Sequence, residues 1–365
     1  MLKIPKQKIE YNDLGVKKSQ TYTKPKQIKL HKQSHDLSDK KNNTDVKPFT
    51  IRKPRQLNTT QFDIKSLKFS HVINENSPTN SSEIETKEKK HKGSEYSIKD
   101  LNNFNVEFSY KEDRNRIFKE KMEDMGKSVV NFNDKTNNIL LTLFDGHGGN
   151  LVSSFLAHNF DKFLKKNLLD DGKEIKESIL KTFTDLDDKI KENSLNGGST
   201  GTILYITEED NKKILYCANV GDTRCTLYTD KIYEKLSYDH RANDPSEKNR
   251  IINSGGNLRN GRVNGKLMLS RVFGDFELRD FGVNCEPYII RKEIDINIKN
   301  QFIILASDGI WDHIEDNDIQ NFIYETFNEC GEEDIVTKKI CERLVQECFN
   351  FGSSDNISVF VIKIT

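Results

Sequence analysis

The sequence predicts one α+β domain of mainly antiparallel sheets with paired helices packed outside them, preceded by a basic tail. Three observations lead there. Apolar runs of strand length stand at hairpin spacing more often than at the spacing of a strand–helix–strand crossover. Two pairs of segments carry apolar residues at helical intervals. And the first hundred residues, rich in Lys, Asn, Ser, Thr and Gln, sustain no apolar period for more than a few residues.

The elements follow in chain order. Residues 1–100 hold 22 Lys and Arg against 12 Asp and Glu, leaving 35 against 45 in the remainder, so a formal net charge of zero conceals a split. Five of the seven prolines also fall there. Such a segment buries too little apolar surface to offset an ordering cost of about 1–2 kcal/mol per residue for the backbone alone. It reads as a disordered tail over residues 1–95, ending within 95–105, with the folded domain over 96–365. The clusters Arg52-Lys53-Pro54-Arg55 and Lys89-Lys90-His91-Lys92 have the charge to address the nucleus or meet an acidic surface, although incidental lysine bias explains them more simply.

Ile139–Phe144 is nearly all apolar and suits a strand buried on both faces. Leu151, Val152, Phe155, Leu156, Phe160, Phe163 and Leu164 then recur at helical spacing, and Ile175, Ile179, Leu180, Phe183, Leu186 and Ile190 line a second helix. Strands are expected over 201–207, 213–219 and 224–228, joined by the turns at Glu209-Asp210-Asn211 and Gly221-Asp222. Asp244-Pro245-Ser246-Glu247 is a helix start, with an N-cap, a proline at the first helical position and a carboxylate at the third; Gly255-Gly256 closes that helix. Later strands are expected over 288–292, 302–306 and 357–364. Between the last two, Ile319, Phe322, Ile323 and Phe327 mark one helix, and Ile335, Val336, Ile340, Leu344 and Val345 another.

Several function classes are disfavoured. No run of 18 apolar residues offers a membrane span. The opening Met1-Leu2-Lys3-Ile4-Pro5 lacks the apolar core of a signal peptide and the glycine of a myristoylation site, so no membrane anchor is expected. Six cysteines form no CxxC pair and read as reduced, buried thiols in a cytoplasmic or nuclear protein. His158, on an apolar helix, reads as a packing residue.

The chemistry sits at strand ends. Phe144-Asp145-Gly146-His147-Gly148-Gly149 sets an acid directly after a buried strand, among glycines that permit close approach. The run Phe302 to Ala306, followed by Ser307-Asp308-Gly309, repeats the device, and Asp312 would face the same way as Asp308 if Gly309 opens a helical turn. Asp355-Asn356 precedes the last strand, and Glu123-Asp124 lies upstream of the first. Carboxylates converging from strand ends repel one another by roughly 4 kcal/mol at 4 Å for an effective dielectric near 20. Hard divalent cations, Mg²⁺ or Mn²⁺, would neutralise such an all-oxygen cluster. Two of them sharing a carboxylate would activate a water and clamp a phosphoryl oxygen. Any one of these fragments alone is more simply a turn or a solvated carboxylate; together and in this order they are specific.

That order resembles the successive motifs of the type 2C metal-dependent protein phosphatases, the PPM family. The series runs through Met122-Glu123-Asp124, Asp145-Gly146-His147-Gly148-Gly149, Gly198-Ser199-Thr200-Gly201-Thr202 and Ala218-Asn219-Val220-Gly221-Asp222-Thr223-Arg224. It continues with Asp239-His240-Arg241, Glu247-Lys248-Asn249-Arg250-Ile251, Arg262-Val263-Asn264-Gly265 and Leu269-Ser270-Arg271-Val272-Phe273-Gly274-Asp275. Ala306-Ser307-Asp308-Gly309-Ile310-Trp311-Asp312 and Ser354-Asp355-Asn356-Ile357-Ser358 complete it. The resemblance spans the whole expected domain.

The resemblance implies a sandwich of two mainly antiparallel sheets flanked by helices, with a binuclear centre in the cleft at one end. By motif match, Asp145 would bridge two ions, the Gly146 carbonyl would ligate one, and Asp308 and Asp355 would hold the other. Glu123 and Asp124 would orient bound waters or ligate directly. Asp222, with Asp308 and Asp312, matches the ligands of a weaker third ion seen in some members. His147 matches the family's proposed general acid. The implied reaction is in-line attack of activated water on phosphoserine or phosphothreonine in a protein, without a phosphoenzyme. Residues 240–284 would form the flap beside the cleft. The implied partners are phosphoproteins, with no nucleic acid, and the implied state is a monomer.

One departure bears on the site. The family usually carries an arginine four residues before the glutamate of Met-Glu-Asp, where its guanidinium forks onto the substrate phosphate; here that position is Lys119. Lysine keeps the charge and loses the bidentate contact, which predicts a raised KM before a lost kcat. Arg116 would reach in its place only if the segment were helical. The alternative to an active enzyme is a pseudophosphatase that keeps the fold as a binding scaffold, against which the retained Asp145, Asp308 and Asp355 argue.

Overall fold

The computed structural model describes residues 85–86, 94–98, 105–169, 174–331 and 334–365. The tail expected over 1–95 lies outside the described residues except at 85–86 and 94–95. The first main strands are β1 (Glu95–Ile98), β2 (Val106–Asp113), β3 (Met125–Val130) and β4 (Ile139–Phe144). Helices α1 (Leu151–Leu168) and α2 (Ile175–Glu192) follow, then β5 (Gly201–Glu209), β6 (Lys212–Val220), β7 (Arg224–Tyr228) and β8 (Tyr233–Lys235). After α3 (Pro245–Asn253) come β9 (Tyr288–Glu293), β10 (Gln301–Ala306), the short α4 (Asp308–Trp311), α5 (Asp316–Glu329), α6 (Val336–Asn350) and β11 (Ile357–Ile364).

These strands make two large antiparallel sheets. One runs Glu85–Thr86, β1, β2, β11, β10, β7, β8, and the other β9, β6, β5, β4, β3. The period of two decides which side chain faces which layer. In β4, Ile139, Leu141 and Leu143 point into the core between the sheets, while Leu140 and Phe144 pack beneath α1 and α2. In β10, Ile303 and Leu305 face the same inner core, and Phe302, Ile304 and Ala306 pack under α5 and α6. Both strands are therefore buried on both faces, and the expected α+β sandwich of two sheets between helical layers is what forms. The six cysteines are free thiols, four of them buried. His158 is not in the core: it stands exposed on α1, its Nε2 3.0 Å from Lys162 Nζ. No helix among the described residues is long and apolar enough to cross a membrane.

Residues 240–284 build a smaller body with its own core of Ala242, Ile251, Val263, Leu269, Val272, Leu278 and Val283. The Asp244 carboxylate caps α3 by accepting from the N–H groups of Ser246 (2.9 Å) and Glu247 (3.3 Å). Glu247 has a different task. Its buried carboxylate receives Arg250, Arg271 and the Ser270 hydroxyl at 2.6–2.7 Å.

Candidate active site

One carboxylate arrives from each sheet. Beyond the end of β4, Asp145 donates its N–H to Thr200 Oγ1 (3.0 Å), and its carbonyl accepts from the Thr200 N–H (2.8 Å) and the Ser199 hydroxyl (3.1 Å). These bonds fix the turn through the backbone of Asp145 and do not use its half-buried carboxylate. Beyond β10, Asp308 opens α4 and its carbonyl accepts from the Asp312 N–H at 2.9 Å, so the helical turn expected at Gly309 forms. Gly309 is required for a packing reason: a Cβ there would overlap the carbonyl oxygen of Asn356.

Asn356 ties a third segment to these two. Its Oδ1 accepts from the Glu123 N–H (2.8 Å), and its Nδ2 donates to the carbonyls of Arg114 (2.9 Å) and Lys121 (3.1 Å). Its own N–H bonds Asp355 Oδ1 at 2.7 Å. One side chain thus registers the 114–123 segment against the loop before β11. Glu123 faces the start of α1, with Oε1 accepting from the Gly149 N–H (2.7 Å) and its carbonyl from the Ser153 hydroxyl (2.6 Å). Gly146 packs against those same Glu123 and Ser153 atoms.

The carboxylates raise one another's proton affinity. Burial, then Asp124, Asp308, Asp222 and Asp355, holds Asp145 well above the usual carboxylate range. Burial, then Asp222, Asp355, Asp312 and Asp124, does the same to Asp308. Burial pushes Asp124 up to about 6, with Ser307, Ser358 and Asp145 as its polar neighbours. Burial pushes Asp222 up to about 6 as well, against the pull of Arg241. The cations among them are Lys119, whose Nζ lies 2.5 Å from Asp355 Oδ1, and Arg241, whose guanidinium bridges Asp222 (2.9 Å) and Asp312 (2.6 Å). Burial alone would lower the pKa of Lys119, but Asp355, then Asp145 and Glu123, carry it above its ordinary value. Arg116 lies exposed in a turn rather than a helix, so the condition for it to stand in for Lys119 is not met.

Asp124, Asp145, Asp222, Asp308 and Asp355 therefore share one electrostatic neighbourhood, with Asp312 at its margin and Glu123 turned toward α1. Among the described residues no three His, Cys, Asp or Glu side chains converge on a common point as a preformed metal cage. The donor chemistry nonetheless fits a hard divalent cation: the donors are all oxygen, the charge is unbalanced, and the buried Asp124 Oδ2 has no hydrogen-bond partner. His147 stands to one side, with Nε2 2.6 Å from Asp275 Oδ2.

Three participants carried no role in the sequence reading. Arg241, Asp275 and Asn356 each act across a long sequence gap, where spacing says nothing about contact. For Arg241 the signals were its place in Asp239-His240-Arg241 and the surplus of acids, which calls for a cation, and neither named its partners.

The chain is similar to proteins of one known family. The profile of the family described as Protein phosphatase 2C matches residues 108–357. Protein phosphatase 2C homolog 1 of Schizosaccharomyces pombe is 28% identical over 259 residues, covering 70% of this chain and 72% of that one. The mouse integrin-linked kinase-associated serine/threonine phosphatase 2C is 32% identical over 251 residues, covering 61% of this chain and 62% of the relative's length. Among solved structures, a phosphatase from Toxoplasma gondii superposes with a TM-score of 0.60 at 21% identity, over 71% of this chain and 92% of that one, a likeness of fold.

Proposed function

The chain belongs to the protein phosphatase 2C family, and we propose that it hydrolyses phosphoserine and phosphothreonine in proteins with water activated at Mg²⁺ or Mn²⁺, without a phosphoenzyme. The observation that carries this reading is the close group of mutually repelling aspartates, Asp124 and Asp222 buried and Asp145, Asp308 and Asp355 half-buried, against which, among the described residues, Lys119 and Arg241 are the cations paired with them. A structural core has no use for such a cluster, because unpaired buried charge is costly. The serine/threonine preference is supported by the name of the mouse relative.

Asp145, the Gly146 carbonyl, Asp308 and Asp355 would hold two ions, and Asp222, Asp308 and Asp312 a weaker third. Asp124 and Glu123 would order water around them. When bound, such cations supply a nucleophilic water near neutral pH and positive charge for the phosphoryl oxygens. Lys119, already at the carboxylates, would bring a single positive charge to the substrate phosphate. His147 would hand a proton to the departing seryl or threonyl oxygen. The body at 240–284 would flank the bound phosphoprotein and contribute to its choice. The free thiols support an intracellular setting.

The test is hydrolysis of a phosphothreonine peptide by the purified full chain with Mn²⁺, with Mg²⁺ and with EDTA, beside Asp308→Ala. Turnover that needs the cation and disappears in the variant is the expected result. A folded chain inactive with every cation would instead favour a binding scaffold, the reading that the lysine at 119 leaves open.

A further inference from the structure

Beside the aspartate cluster, three two-residue strands form a separate small sheet: Gly146–His147 pairs with Gly198–Ser199, which pairs with Phe273–Gly274. Its effect is to bring together His147 and the residue just beyond its third strand, Asp275, 128 positions away, at 2.6 Å between Nε2 and Oδ2. The carboxylate is nearly enclosed, 10% exposed, whereas the imidazole is 34% exposed. A carboxylate only accepts, which places the ring hydrogen on Nε2 and leaves Nδ1 as the nitrogen not committed to the protein at this contact.

Asp275 is held in place with some effort. Its backbone is left-handed, φ 46° and ψ 44°, a region that residues with a Cβ seldom occupy. The neighbours enforce it. Asp187 on α2 accepts from the Gly274 N–H (2.9 Å) and from Arg279 (2.8 Å), and Arg279 in turn donates to the Gly274 carbonyl (2.8 Å). The Asp275 N–H reaches the Gly197 carbonyl at 3.2 Å. The middle strand leaves room for the pair only because residue 198 is glycine: a Cβ there would lie 2.5 Å from both His147 Nε2 and Asp275 Oδ2.

We propose that Asp275 is a positioning residue for His147, holding the imidazole by Nε2 so that Nδ1 delivers the proton to the leaving oxygen, with Asp187 and Arg279 as its support. This rests on the phosphatase reading. In the step, a bond forms from phosphorus to the oxygen of the attacking water, which gives up a proton to solvent, while the bond from phosphorus to the seryl or threonyl oxygen breaks and its electron pair goes to that oxygen, leaving inorganic phosphate. The oxygen takes the Nδ1 proton, and the imidazolium becomes a neutral ring still bonded to Asp275 through Nε2–H.

An alkoxide leaving group needs that proton, whereas the phenolate released from p-nitrophenyl phosphate leaves without it. The experiment compares kcat on a phosphothreonine peptide with kcat on p-nitrophenyl phosphate for the full chain with Mn²⁺, in wild type, Asp275→Asn and Gly198→Ala. Both variants should lose about 10–100-fold on the peptide, part of the roughly 100–10,000-fold that general acid catalysis supplies because His147 itself remains, and change little on the aryl ester. An equal loss on both substrates would mean a merely structural role and overturn the proposal, as would no loss on either. Wild type inactive on both would refute the phosphatase reading and this one with it. Imidazole ¹⁵N spectra of the protein without added cation give a readout independent of turnover. The hydrogen should sit on Nε2 in wild type and redistribute in Gly198→Ala, and a wild-type ring protonated only at Nδ1 would overturn the assignment.

Discussion

Replacing Glu247 by glutamine should loosen the 240–284 body while leaving the sandwich intact. Glu247 is 3% exposed, and its carboxylate accepts from two guanidiniums, Arg250 and Arg271, each at 2.7 Å. These two cations face it from α3 and from the segment after Leu269; Ser270 donates its hydroxyl to it, and His240 and Tyr238 feel its charge. Removing the shared anion leaves like charges facing each other, which for a buried pair costs about 3–5 kcal/mol. The guanidiniums are 24% and 18% exposed, so solvent relieves part of this and the lower end, about 3 kcal/mol, applies. Because the body has a core of its own, the loss should fall on local opening, roughly a 100-fold faster amide exchange within 240–284. Hydrogen exchange by mass spectrometry reads this directly. Unchanged exchange there, or an equal rise across β4 and β10, would refute the reasoning. Activity should fall too, since Ser270 N–H bonds the His240 carbonyl and Arg241 lies opposite Leu269, so the flap sets where Arg241 meets Asp222. The pH dependence has a definite sign. The carboxyl's folded pKa lies below its unfolded value near 4.5, the net effect of Arg271, Arg250 and Ser270 outweighing burial. The stability it gives is therefore complete above about pH 4.5 and lost as the pH falls further.

Three other outcomes follow from the site. Asp124→Asn should stabilise the protein in EDTA at pH 7.5 by up to ~3 kcal/mol, since a carboxyl raised from 3.8 to about 6 is ionised there at a cost. That gain should shrink as the pH falls through 6 and vanish below about 4, as denaturant titrations at several pH values would show; a pH-independent difference would contradict it. Lys119→Arg should leave kcat within about twofold and lower KM for a phosphopeptide, because a guanidinium can make the bidentate contact an ammonium cannot. Gly309→Ala should cost at least about 1–3 kcal/mol, because the added methyl meets the Asn356 backbone rather than a side chain that can turn away; an unchanged melting temperature would dispose of that packing argument.

The layers of the fold were legible because their signal is local. Ile139–Phe144 and the run to Ala306 announce strands buried on both sides by composition alone, and the helical faces of α1, α2, α5 and α6 repeat at their own period. Asp145 and Asp308 stood out because acids directly after such strands need a reason. What stayed hidden is set by tertiary register. Nothing near Glu247 distinguishes a cap-forming glutamate from one buried between two arginines, and His158 sits between apolar neighbours yet turns outward, since one helical position is about 100° of rotation. The pairing of His147 with Asp275 depends on a sheet of two-residue strands, too short to leave any periodic trace.

The order of strands has a consequence for how the protein is made. β2 lies beside β11, with Val106 opposite Ile364, so the first long strand is completed by the last. Asp355 comes immediately before that closing strand, and Asn356, which aligns the segment carrying Glu123, comes with it. A chain emerging from the ribosome can form α1, α2 and the sheet of β3, β4, β5 and β6 early, but the aspartate group stays incomplete until residues 355–364 have emerged and β11 has paired with β2. Contacts of such separation form slowly and late. An interrupted or C-terminally clipped product would therefore be devoid of activity rather than partly active, and while it waits the apolar flank of β2 is a surface for chaperones to hold.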